Sequence, residues 1–189
     1  MNLPNKLTLL RMILVPFFVA FLLTDKIPLN NIWAMLVFII ASLTDFFDGR
    51  YARKYHMITD FGKFADPLAD KILVISAFCC FVEMDIMSCI PLIIILFREF
   101  AVTSVRLVSA TQGKVVAANI FGKIKSVSQI VAIIIIILNL IIFQLFGNVM
   151  SQQVFTIINT VAVWISVIFT VVSGIIYLKD NVDIYKTMK

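Results

Sequence analysis

The chain has 189 residues, of which 61% are hydrophobic and 14% charged, and its mean hydropathy is +1.04. Soluble domains are about 45–50% apolar, so this composition excludes a water-soluble globular domain and leaves an all-α polytopic membrane protein. The net charge of +5 is carried by basic residues that punctuate the ends of apolar segments without forming a stripe, which argues against a nucleic-acid surface.

A spanning helix needs about 20 mostly apolar residues, and six stretches qualify. The first runs from about Leu7 to Leu23. It is read as a retained helix rather than a signal peptide, because Arg11 interrupts the apolar run and no small-residue cleavage site follows. The second runs from about Ile32 to Asp48, and the third from about Pro67 to Phe81 or slightly beyond. The fourth covers about Ile90 to Val108, the fifth Ile124 to Phe146 and the sixth Val154 to Leu178. The length fits one bundle, so residues 1–189 are expected to form a single membrane domain.

Charge sorts the connections into two sets. The turns near residues 25–31, 83–91 and 147–153 hold one basic residue, Lys26, and the other 15 of the 16 Lys and Arg residues fall on the opposite side. By the positive-inside rule both termini are cytoplasmic. Some charges sit inside apolar segments: Arg98, Glu99 and Arg106 in the fourth, with Lys123 and Lys125 opening the fifth. Arg98 and Arg106 lie about two turns apart, near one face, where charges in a membrane protein line a wet, protein-walled cavity. Simple interfacial anchoring by snorkelling is the competing reading. Cys79, Cys80 and Cys89 have neither metal-ligand spacing nor a paired framework, and they read as apolar packing residues. His56, the sole histidine, reads as a loop residue.

The stretch from Asp45 to Asp70 is the chemical anomaly, with five of the eleven acidic residues. Asp45 and Asp48 are spaced i,i+3 near the end of the second segment, and Asp66 and Asp70 are spaced i,i+4 near the start of the third. Pro67 fits a first helical position, which makes Asp66 a candidate N-cap. The short connector predicts antiparallel neighbouring helices, with both acid pairs at one membrane depth. Four carboxylates so close together need a cation, and oxygen ligands without Cys or His point to Mg²⁺, Mn²⁺ or Ca²⁺. Gly49 and Ala52 leave room for a ligand to approach, Arg53 suits a phosphate, and Gly62 suits a tight lead-in to the third helix. Together these residues suggest metal-assisted phosphoryl transfer. A solvated loop, with the acids paired to Arg50, Arg53, Lys54 and Lys63, is the alternative. It leaves the facial spacing on two helices unexplained.

The pattern Asp45-x2-Asp48-Gly49-x2-Ala52-Arg53-x8-Gly62-x3-Asp66-x3-Asp70 resembles the signature of the CDP-alcohol phosphatidyltransferases at every fixed position. The resemblance implies a six-helix membrane enzyme, usually a homodimer, in which an alcohol displaces CMP from a CDP-activated lipid with the help of divalent metal. It implies that Asp45, Asp48, Asp66 and Asp70 ligate metal, two Mg²⁺ or Mn²⁺ ions, and that Asp70 is also the catalytic base. Gly49, Ala52 and Arg53 then bind the CDP moiety. The opening Pro4-Asn5-x2-Thr8-x2-Arg11 is similar to that of the bacterial phosphatidylglycerophosphate synthase branch, which adds Asn5 and Thr8 to the CDP-lipid residues. Arg98-Glu99-Phe100-Ala101-Val102 with Arg106, and Gly122-Lys123-x-Lys125, are similar to the same branch, although Ser126 stands where Thr is expected. That likeness implies CDP-diacylglycerol as donor and glycerol 3-phosphate as acceptor, with Arg98, Arg106, Lys123 and Lys125 on the acceptor phosphate. It places the enzyme in the plasma membrane among lipids, with its site at the cytoplasmic face. A sister enzyme using inositol phosphate, serine or phosphatidylglycerol is the near alternative. A small ion-coupled transporter is the distant one, disfavoured because the acids sit at one face and no repeat is visible.

Overall fold

The computed structural model describes residues 3–54, 60–111, 120–147 and 151–181; for residues 3–4, 45–54, 60–67, 70 and 110–111 the description is of the helical backbone alone. Six helices follow one another: α1 (Leu3–Leu23), α2 (Asn30–Lys54), α3 (Asp60–Glu83), α4 (Cys89–Thr111), α5 (Ile120–Phe146) and α6 (Gln152–Asp180). No strand occurs among the described residues. Each expected apolar segment is a helix, longer at one or both ends than hydropathy alone indicates. Polar residues continue the backbone hydrogen bonding past the apolar run.

The ends have local causes. Asp85 adopts φ 55° directly after α3, and its N–H and that of Ile86 donate back to Val82 O at 3.1 Å and Phe81 O at 2.9 Å. This is the left-handed cap that closes a helix, at a residue type that tolerates positive φ. Ser151 caps α6, its Oγ accepting from Val154 N, while the side chain of Asn181 donates to Tyr177 O at the other end. At the turn between α1 and α2, Asn30 Nδ2 donates to Phe21 O at 3.2 Å. Gln144, near the end of α5, donates to Asn30 Oδ1 at 2.7 Å and accepts from Asn31 Nδ2 at 3.1 Å. These amides tie three helix ends together where Lys26 is the local cation.

The start of α3 differs from the expectation. The helix begins at Asp60, so Pro67 lies inside it, Asp66 is not an N-cap, and Gly62 falls in its first turn. An acidic residue at the first helical position favours a start there. An internal Pro costs a hydrogen bond but is tolerated in membrane helices whose neighbours restrain the backbone.

The core is built chiefly from α1, α2, α3 and α5, with Ile95 of α4 and Val163 and Val167 of α6 completing it. Phe18 and Phe38 meet with ring centroids 5.6 Å apart, Phe78 and Phe81 meet edge to face at 6.2 Å, and Ile133, Ile136 and Ile137 fill the centre. Helices α2 and α3 touch, but each packs far more extensively on α1, which is the element that holds them together. Arg11 is buried on α1 and donates from Nε to Ala41 O of α2 at 3.3 Å. Helix α6 packs along α5 and α4, with Asn139 donating to Asn159 at 2.8 Å and Gln129 to Thr170 at 3.1 Å. Such interhelical bonds set register where apolar contacts alone do not.

The outside is apolar. Phe97, Phe100 and Leu107 on α4 are 77%, 66% and 67% exposed, which suits hydrocarbon and not water. By length and composition α1, α5 and α6 can each cross a membrane. Helix α4 has 23 residues, enough to span about 30 Å of hydrocarbon, and is distinguished from them by Arg98, Glu99 and Arg106. Of the cysteines, all free, Cys80 is buried in the core while Cys79 and Cys89 are exposed. His56 lies outside the described residues.

Candidate functional site

The α4 residues Ile95, Glu99, Val102, Val105 and Ser109 are buried and recur at helical spacing, so this stripe faces the bundle. Arg98 and Arg106 flank it. Helices α4 and α5 meet chiefly through α3 on one side and α6 on the other, and the space between them is a cavity of about 540 Å³. The cavity collects Arg98 and Arg106 from α4 and Lys123 and Lys125 from α5, all four of the expected acceptor residues, and adds Lys71 from α3. Among the described residues, five cationic side chains and one carboxylate, Glu99, line it.

Glu99 is the common partner. Its Oε1 receives the Lys125 ammonium and, at 3.3 Å, Arg98 Nη1; its Oε2 lies 3.7 Å from Lys71 Nζ. Lys71 also donates to the hydroxyl of Thr103. Glu99 and Lys125 are both buried, so their charges are shielded from water and depend on each other. Arg98 has a second anchor, Nη2 donating to Ser173 Oγ at 2.6 Å, while its buried Nε has no acceptor among the described residues. Arg106 is exposed and rests on Tyr177, its Nε donating to the phenol oxygen at 3.4 Å and its guanidinium carbon 5.4 Å from the ring centroid. Among the described residues five cations thus meet one carboxylate, an arrangement suited to receiving an anion, and arginine pairs are suited to phosphate.

Lys71 directly follows Asp70 on α3, so the basic cavity begins where the acidic stretch ends. On the other side of that junction, positions 45, 48, 49 and 52 fall on one side of a continuous α2, and positions 62, 66 and 70 recur every fourth residue on α3. For Asp45, Asp48, Gly49, Ala52, Arg53, Asp66 and Asp70 the description stops at the helical backbone. Among the described ones no group of three or more His, Cys, Asp or Glu could hold a metal. Asn5 and Thr8 are buried on the α1 face that leads to Arg11, and none of the three is without a partner. Thr44, immediately before Asp45, turns its hydroxyl back to Ala41 O at 2.6 Å.

Several residues of the cavity escape a reading of the sequence. Lys71 looks like one more topological cation, and Glu99 is visible as a charge in an apolar segment but not as the shared countercharge. Ser173, Gly174 and Tyr177 carry no signal beyond small or amphipathic residues in a membrane helix.

The chain is similar to known proteins over most of its length. The CDP-alcohol phosphatidyltransferase family description matches residues 1–172. The chain is 43% identical over 197 aligned positions to a Bacillus subtilis CDP-diacylglycerol–glycerol-3-phosphate 3-phosphatidyltransferase, covering 98% of both chains. It is 35% identical to the Rickettsia typhi protein of the same name, over 94% of this chain and 96% of that one. With the Escherichia coli protein of that name it shares 39% identity over 70% of this chain and 74% of the relative. The chain belongs to the CDP-alcohol phosphatidyltransferase family.

Proposed function

We propose that this protein transfers the phosphatidyl group of CDP-diacylglycerol to glycerol 3-phosphate, releasing CMP and phosphatidylglycerophosphate. The observation that carries the acceptor is the meeting of Arg98, Arg106, Lys123 and Lys125 in one cavity whose α3 wall starts at Lys71, next to Asp70. An uncharged alcohol has no need of five cations; a phosphorylated one does. The names of the relatives support the same donor and acceptor.

In this reading Asn5, Thr8, Gly49, Ala52 and Arg53 hold the CDP part of the lipid. The cavity cations hold the acceptor's phosphate with its free hydroxyl toward the acidic stretch. Asp70 takes the proton of that hydroxyl as its oxygen bonds to the lipid-side phosphorus and the bond to CMP breaks. Asp45, Asp48, Asp66 and Asp70 suit divalent metal, because they are oxygen donors only and sit on two helices held against α1. Two Mg²⁺ or Mn²⁺ ions bound there offset the charge of the diphosphate.

The same reading gives one membrane domain over residues 1–189 with six spans, both termini and the site at the cytoplasmic face of the plasma membrane, and a homodimer among lipids. The distribution of Lys and Arg supports the orientation.

The test is CMP release by purified protein in detergent–lipid micelles with Mg²⁺ and CDP-diacylglycerol, offering glycerol 3-phosphate, inositol phosphate and serine separately. Release with glycerol 3-phosphate is expected. Release only with another acceptor overturns the substrate, and none with any overturns the enzyme. In the same assay Arg106→Ala is expected to raise the KM for glycerol 3-phosphate about tenfold, with a smaller change for CDP-diacylglycerol. An equal rise for both removes Arg106 from the acceptor site.

A further inference from the structure

The two arginines of the cavity share a support that belongs to neither the acidic stretch nor the cavity lining. Ser173, Gly174 and Tyr177 lie within just over one turn of α6, behind α4, and none of them is among the residues lining the cavity. Ser173 and Tyr177 are spaced i,i+4 and therefore share a face. Both are buried, and each is bonded to a different arginine: Ser173 Oγ accepts from Arg98 Nη2, and the Tyr177 oxygen accepts from Arg106 Nε. Gly174 lies between them. A Cβ placed there would stand 2.9 Å from Arg98 Cγ, 3.9 Å from Cδ and 3.8 Å from Nε. Cγ is close to the root of the side chain, so a methyl group at this position could not be absorbed by a swing of the guanidinium alone.

We propose that Ser173, Gly174 and Tyr177 are positioning residues that aim Arg98 and Arg106 into the cavity, and so set how well the enzyme captures a phosphorylated acceptor. The proposal rests on the reading of the cavity as the acceptor site. Its physical basis is pre-organisation. A free arginine has many rotamers to lose on binding phosphate, whereas one already held at its stem and one Nη loses few. Gly174 lets the Arg98 stem lie flat on α6, Ser173 fixes its far end, and Glu99 at 3.3 Å fixes the other Nη. Tyr177 does the same for Arg106 with ring face and hydroxyl.

The experiment uses the full-length enzyme in micelles with Mg²⁺, varying glycerol 3-phosphate and CDP-diacylglycerol in turn. Gly174→Ala is expected to raise the KM for glycerol 3-phosphate about tenfold, leaving the KM for CDP-diacylglycerol unchanged and kcat within about twofold. Ser173→Ala should raise the acceptor KM roughly fivefold and Ser173→Thr should restore it, since a hydroxyl is what Arg98 needs. Tyr177→Phe, which keeps the ring, should do less than Tyr177→Leu. Wild-type protein that uses no glycerol 3-phosphate overturns the acceptor reading and this proposal with it. Active wild-type enzyme with variants that raise both KM values together, or lower kcat alone, overturns the proposal and leaves the acceptor reading standing. Should Gly174→Ala fail to fold, the Ser173 Ala/Thr pair decides alone.

Discussion

Glu99→Gln is expected to destabilise the protein by about 3–5 kcal/mol and to lower kcat/KM for glycerol 3-phosphate about a hundredfold. Among the described residues Glu99 is the one carboxylate that lines the cavity with Lys71, Arg98, Arg106, Lys123 and Lys125, and it is in direct contact with three of them. Glutamine keeps the shape and one acceptor but removes the negative charge that the Lys125 ammonium contacts in a place water scarcely reaches. Removing one partner of a buried pair is much more damaging than exchanging both for apolar residues, because the remaining charge stays desolvated. The activity loss has a separate origin: Lys125 and Arg98 lose the oxygen that fixes their direction.

Two comparisons separate these effects. Glu99→Asp retains the charge on a shorter stem and should recover most of the stability while leaving the acceptor KM raised. Glycerol 3-phosphate should raise the thermal midpoint of Glu99→Gln less than that of wild type at the same concentration, because an acceptor held by misdirected cations binds more weakly and stabilises less. Thermal unfolding in detergent with and without acceptor reads both. A Glu99→Gln protein as stable as wild type would mean that the cations are balanced elsewhere, and the account of Glu99 as shared counterion would fail.

What could be read in the chain divides along physical lines. The helices were legible because lipid demands long apolar runs, and interruptions such as Arg98 and Arg106 stand out against them. The start of α3 was not, because Pro67 carries the same signal at a first helical position as inside a helix whose neighbours restrain it. The acid pairs are legible from spacing alone, since i,i+3 and i,i+4 fix a face whatever surrounds it. Their setting is less so: α2 and α3 depend on α1 to come together, and nothing local to residues 45–70 reveals that. Lys71 was hidden by a second rule acting on the same residue type, for a basic residue at a helix end already has a topological explanation. Ser173 and Gly174 become meaningful only once α6 is laid against α4, because a hydroxyl and a missing Cβ in an apolar segment ordinarily serve helix packing.

Asp70→Asn is expected to lower kcat by about a thousandfold or more while leaving the binding of CDP-diacylglycerol largely intact. The position makes it the strongest test of the chemistry. Residue 70 is the last acidic position of the stretch on α3, and the next residue, Lys71, already belongs to the cavity proposed for the acceptor. In the proposed reading a carboxylate at this position, next to Lys71 in the chain, is the one of the four that adjoins the acceptor cavity. Asparagine has the same size and cannot take a proton at neutral pH, so a base is removed with little change of shape. Asp45→Asn, on α2 and farther along the chain from the cavity, should instead weaken the binding of metal and of CDP-diacylglycerol together. Binding measured by the ligand-induced shift in thermal midpoint, alongside CMP release, distinguishes the two variants. If Asp70→Asn loses lipid and metal binding as completely as Asp45→Asn does, Asp70 serves mainly as a metal ligand and the proton of the acceptor hydroxyl must leave by another route.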